Sequence, residues 1–137
     1  MKRMIVAIMI VSFLIISSVC YAAEGGSLNK QQSSIESFLR GVGGLETSYS
    51  TVANGFGPEL KQKITAESYV QLQKTVKEQF GSLKECKFFE FRAYDEFYSV
   101  IYLASFSKEK IVNASFRFSK NNKMLDFALT PIKENNK

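Results

Sequence analysis

The chain has no histidine and no tryptophan, and only two cysteines and two prolines among its 137 residues. Without histidine there is no Ser-His-Asp or Cys-His nucleophile and no imidazole to hold zinc. No P-loop or dinucleotide fingerprint is present. The glycines of "GVGG" at 41–44 follow a helical pattern rather than a strand. The sequence therefore points to no catalytic residue set, no metal site and no cofactor.

The amino terminus is one long apolar run. Lys2 and Arg3 precede Met4 to Ile16, after which come small and polar residues up to Ala23. A positive start, an apolar core and a small-residue site are the parts of a secretory signal peptide. The run is shorter than the roughly 20 residues of a membrane span. Cys20-Tyr21-Ala22 predicts cleavage after Ala22, which makes 1–22 a signal peptide and the protein secreted or periplasmic, with no membrane span after processing. Lipid anchoring at Cys20 is the alternative, although bulky Val19 stands where such signals carry Gly or Ala.

Cleavage leaves 115 of the 137 residues, enough for one domain with its own core. It also removes Lys2 and Arg3, so the net charge of +5 falls to +3, too mild to imply a nucleic-acid partner. The scattered lysines read as a solvated surface. Cys86 is then the remaining thiol. It has no disulfide partner and reads as a small, half-buried apolar residue.

Residues 23–32 are polar and contain glycine, and predict a flexible lead-in. Ser33 and Glu36 have the spacing of a capping box, and Ile35, Phe38, Leu39 and Val42 follow on one helical face. Leu45, Tyr49, Val52 and Phe56 repeat that spacing. Pro58 opens a short helical turn, and Thr65 caps a longer helix with Tyr69, Leu72, Val76 and Phe80 as its stripe, stopped by Gly81. The period then changes to two. Residues 83–93, 97–106, 111–119 and 123–130 predict four strands joined by short turns.

Centring the last hairpin on Asn121-Asn122 pairs Phe118 with Leu125, Phe116 with Phe127 and Arg117 with Asp126. One sheet face then carries Phe89, Phe91, Tyr98, Val100, Tyr102, Phe116 and Phe118, and must be covered by the helices. The other face mixes Phe88, Glu90, Arg92, Ile101, Leu103, Arg117 and Asp126. The expected fold is α+β: N-terminal helices packed on a four-stranded antiparallel sheet, as one domain over 33–132 followed by a polar tail at 133–137.

The stretches "SSIESFLRGV", "GFGPELKQKITAESYVQLQKTVKEQFGSL" and "SFRFSKNNKMLDFALTP" resemble the nuclear-transport-factor-2-like (cystatin-like) superfamily, within it the small exported bacterial domains of unknown function. The resemblance spans about residues 33–132 and lies in pattern and order. It implies a sheet curled into a cone-shaped roll with a pocket at its open end. Members of the superfamily include isomerases and dehydratases, small-molecule binders and association modules, so the fold alone does not name an activity.

Two sets of residues stand out. Tyr49, Tyr69, Tyr98 and Tyr102 are candidate polar anchors in an otherwise apolar pocket, or core aromatics that each place one hydroxyl. Phe88, Ile101, Leu103, Arg117 and Asp126 are a candidate interface on the other sheet face, Arg117 and Asp126 also reading as a cross-strand ion pair. The expected function is an exported, non-catalytic binding domain for a small apolar molecule or an envelope protein. The alternatives are a structural or inhibitory module, homodimeric or partnered through the outer sheet face, and a small cofactor-free isomerase- or hydrolase-like enzyme.

Overall fold

The computed structural model describes residues 22–45 and 48–133. The expected signal peptide, apart from Ala22, and the expected polar tail, apart from Lys133, lie outside the described residues. The chain divides into Met1–Lys30 and Gln31–Lys137. Of the first unit, residues 22–30 are described, as the opening turns of a helix.

Helix α1 runs over Ala22–Val42, α2 over Tyr49–Ala53, α3 over Pro58–Lys63 and α4 over Ala66–Gln79. The expected lead-in at 23–32 is thus helical, and Ser33 lies inside α1 rather than capping it. The cause is tertiary: Gln31 is fully buried, two residues before the expected start, and helical pitch carries it onto the core face with Ile35 and Phe38. Helix α2 is shorter than its apolar spacing, and Ser48 caps it by accepting from Thr51 N. Gly57 and Pro58 open α3 as expected. Thr65 caps α4 in a reciprocal box with Ser68. Gly81 ends that helix at φ +87°, a left-handed conformation that only glycine adopts without cost.

Strands β1 (Leu83–Ala93), β2 (Tyr98–Phe106), β3 (Val112–Phe118) and β4 (Met124–Pro131) form one open antiparallel sheet in the order β1-β2-β3-β4. Arg117 pairs with Asp126 and Phe116 with Phe127, as expected, but Phe118 pairs with Met124 and not with Leu125. The turn explains the slip. Asn122 N donates to Ser119 O, and Asn122 alone of the turn takes a positive φ, +68°. That geometry is a longer turn followed by a left-handed residue, which inserts one extra residue into the ladder. Met124 is therefore fully buried, and Leu125 is half-buried.

A second bulge, between Phe88 and Glu90, reverses two assignments in β1. Phe88 pairs with Tyr102 and so belongs to the core face, while Phe89, expected in the core, is 59% exposed. Past the bulge Phe91 pairs with Val100 and the expected alternation resumes.

Phe38 centres the core. Its ring lies 4.6 Å from Phe127, 5.8 Å from Phe116 and 6.3 Å from Phe56, so one α1 side chain joins β3, β4 and the loop after α2. Phe80 meets Phe106 at 5.4 Å and anchors the end of α4 to β2. Each such burial is worth roughly 1.5–3 kcal/mol. Gly57 N donates to Met124 O and Met124 N to Gly55 O, so the 55–57 segment lies along the start of β4 and covers part of that edge.

Candidate functional site

On the helix-facing side of the sheet the described rings are buried. Phe38, Phe56, Phe116, Phe118 and Tyr102 are all under 2% exposed or close to it. The four tyrosines occupy three settings there. Tyr49 and Tyr69 lie together, ring centroids 5.5 Å apart, and Tyr49 Oη donates to Ile64 O at 2.5 Å. Tyr98 lies against Phe91 in a tilted pair at 5.5 Å and carries the Lys120 ammonium over its ring at 4.1 Å. Tyr102 meets Phe88 edge-on at 6.1 Å and donates to Glu36 Oε2 at 3.4 Å.

That last contact heads a polar group that the sequence reading missed. Burial pushes the Tyr102 phenol up, and the Glu36 carboxylate adds to the effect, while a hydrogen bond with Gln32 opposes it. Burial likewise raises the Cys86 thiol, with Glu36 and Glu85 reinforcing the shift and Arg40 opposing it. Gln32, Glu36 and Arg40 stand at i, i+4 and i+8 along α1, one stripe of the helix. Glu36 had been absorbed into a capping box, which hid the signal. The group sets one carboxylate beside a phenol and a thiol, both kept protonated by burial and by that carboxylate.

The opposite sheet face is open. Ile101 and Leu103 are half-exposed there, opposite Glu90 and Lys87 on β1 and Ser115 and Asn113 on β3. Arg117 forks onto Asp126 through Nε and Nη2, and its guanidinium lies 5.2 Å over the Phe97 ring. Phe97 in turn stacks on Tyr94 at 4.8 Å. Arg92 pairs with Glu90. A cleft of about 230 Å3 opens between them, lined by Glu90, Arg92, Tyr94, Ser99 and Ile101. Of the five expected interface residues the structure brings Ile101, Leu103, Arg117 and Asp126 to this face. Phe88 is on the other.

The described geometry defines a small α+β domain with buried rings on one sheet face and half-exposed Ile101 and Leu103 on the other. The chain belongs to the family described as "Protein of unknown function (DUF3887)", whose model matches residues 45–127, from the loop before α2 into β4. No curated protein and no solved structure matches it. Among the described residues no helix is long and apolar enough to cross a membrane, and no cluster of acidic, cysteine or histidine side chains is placed to hold a metal.

Proposed function

We propose that the protein is an exported, non-catalytic binding domain of nuclear-transport-factor-2-like kind, and that its working surface is the outer face of the sheet. The superfamily reading is supported by helices preceding a four-stranded antiparallel meander, with the Phe56-Gly57-Pro58-Glu59-Leu60 turn between them. The functional reading is carried by one contrast: rings fill the helix side of the sheet, whereas Ile101 and Leu103 stand half-exposed on the other side, beside a cleft. A small apolar ligand in a cone is less well supported, because Phe38 and its partners occupy that space.

The partner this face fits is a second copy of the chain. Glu90 and Asp126 pair with Arg92 and Arg117 around the apolar pair, so the face carries both signs, which suits a self-complementary two-fold contact. In sedimentation the full chain should run as a dimer, and Leu103→Glu as a folded monomer. A monomeric wild type removes the second copy. Photo-crosslinking from position 103 in cells then tests other protein partners, and the lack of any discrete adduct overturns the reading.

The Glu36–Tyr102–Cys86 group favours a second reading, a small isomerase- or hydrolase-like enzyme with Glu36 as base. Hydrolysis of an activated ester that Glu36→Gln abolishes would establish it. Turnover equal to background in the wild type removes it.

A further inference from the structure

A second cleft lies away from both sheet faces, where the end of α1 meets the outer side of α4. Its volume is about 230 Å3, and Val70, Gln73, Lys74, Lys77 and Ser82 line it over a floor formed by Gly43 and Gly44. Lys74 and Lys77 are three residues apart on α4 and so project from one face of the helix. Among the described residues no carboxylate lines the cleft. Among the described residues neither lysine forms an ion pair, although three ion pairs form elsewhere.

The rest of the lining is rigid or unengaged. Gln73 Nε2 donates to Gly41 O at 2.9 Å, which fixes the wall between the helices. The Ser82 backbone is held by Ser107, its N–H donating to Ser107 Oγ and its carbonyl accepting from Ser107 N, while the Ser82 hydroxyl makes no hydrogen bond among the described residues. Val70, 48% exposed, adds an apolar wall at the mouth. Two ammonium groups that form no ion pair among the described residues, a hydroxyl on a held backbone and an apolar wall are complementary to one kind of ligand.

We propose that this cleft binds a small anionic head group, phosphoryl or carboxylate, carried on an apolar body. The ammonium groups of Lys74 and Lys77 take the anion, Ser82 donates a hydrogen bond to it, and the apolar portion lies on Val70. This site is separate from the outer sheet face, and its test does not depend on that reading.

The head group has two sources, a soluble molecule and a lipid, and two arms of one experiment separate them. In the first, hexyl phosphate and inorganic phosphate are titrated into the isotope-labelled full chain and followed by amide chemical shifts. Expected are saturable shifts confined to Gly44, Lys74, Lys77 and Ser82, tighter for hexyl phosphate. Lys74→Gln with Lys77→Gln should weaken binding about tenfold or more, the loss of charge-assisted contacts. In the second arm, co-sedimentation with phosphatidylglycerol but not phosphatidylcholine vesicles, lost in the same variant, assigns the source as lipid. Shifts spread equally over Lys61, Lys63 and Lys120, binding that survives the double substitution, or no binding in either arm overturns the proposal. The two lysines would then serve only the carbonyl end of α4.

Discussion

Gln31 Nε2 donates to Asn122 Oδ1 at 2.9 Å across 91 residues of sequence and ties α1 to the tip of the last hairpin. The bond is lopsided. Gln31 is fully buried and its Oε1 has no partner, whereas Asn122 is half-exposed and reaches water. Removing Asn122 therefore strands a buried amide, a loss of about 1–3 kcal/mol. Asn122→Ala also forces alanine into φ +68°, which costs about 1–2 kcal/mol more. Gln31→Met removes the stranded oxygen and keeps the shape, so it should be neutral or slightly stabilising. Urea unfolding of the two variants checks the asymmetry. Equal losses would contradict it.

Gly41 and Tyr69 set the approach of α1 to α4. A Cβ at Gly41 would collide with Tyr69 Oη and press on Val52 at 3.1 Å. Alanine inside a helix is ordinarily favoured over glycine by about 1 kcal/mol. Here the order should reverse, and Gly41→Ala should lower the melting temperature. Tyr69→Phe removes the clashing atom, so the double variant should lose less than the two single losses added together. Additive losses would mean that the contact does not set the spacing.

The sequence made most of this fold legible because its signals are local. The Thr65 cap, Pro58 at a helix start, Gly81 at a helix end and the period-two runs each act within a few residues, and each is where the pattern placed it. The errors arose where distant packing decides. The burial of Gln31 within α1 depends on its meeting Asn122, and the faces of Phe88 and Phe89 depend on one inserted residue that strict alternation does not register. The outer face was readable for the same reason as the ladder. The Glu36–Tyr102–Cys86 group was not, because helix α1 and strands β1 and β2 meet only in three dimensions.

Phe89 shows what the bulge in β1 does. The strand is an edge of the sheet, and the bulge turns this ring outward to 59% exposure. An exposed aromatic on an edge strand invites pairing with another chain, which the bulge and the flanking charges of Lys87 and Glu90 oppose. Phe89→Lys should change stability by less than about 0.5 kcal/mol, as for a surface site. It should also raise the concentration at which the protein stays clear. A loss above that size would show that the ring packs against something in solution.

Tyr102 and Cys86 give the protein a defined alkaline limb. Both carry folded-state pKa values raised chiefly by burial and next by Glu36. Below the ordinary value of each group, about 8.5 for the thiol and about 10 for the phenol, folded and unfolded chains both hold the proton and stability is undiminished. As pH rises past those values the unfolded chain ionises first, so stability falls through the higher folded values. Tyr69, raised by burial as well, adds to the same limb. Denaturation midpoints measured up the alkaline range should therefore decline, and Tyr102→Phe should flatten the decline without removing it. The thiol reports the carboxylate directly. Glu36→Gln removes a negative charge that disfavours the thiolate, so Cys86 should ionise at lower pH and alkylate faster at mildly alkaline pH. An unchanged alkylation rate, with the variant as well folded as the wild type, would show that Glu36 does not face the thiol.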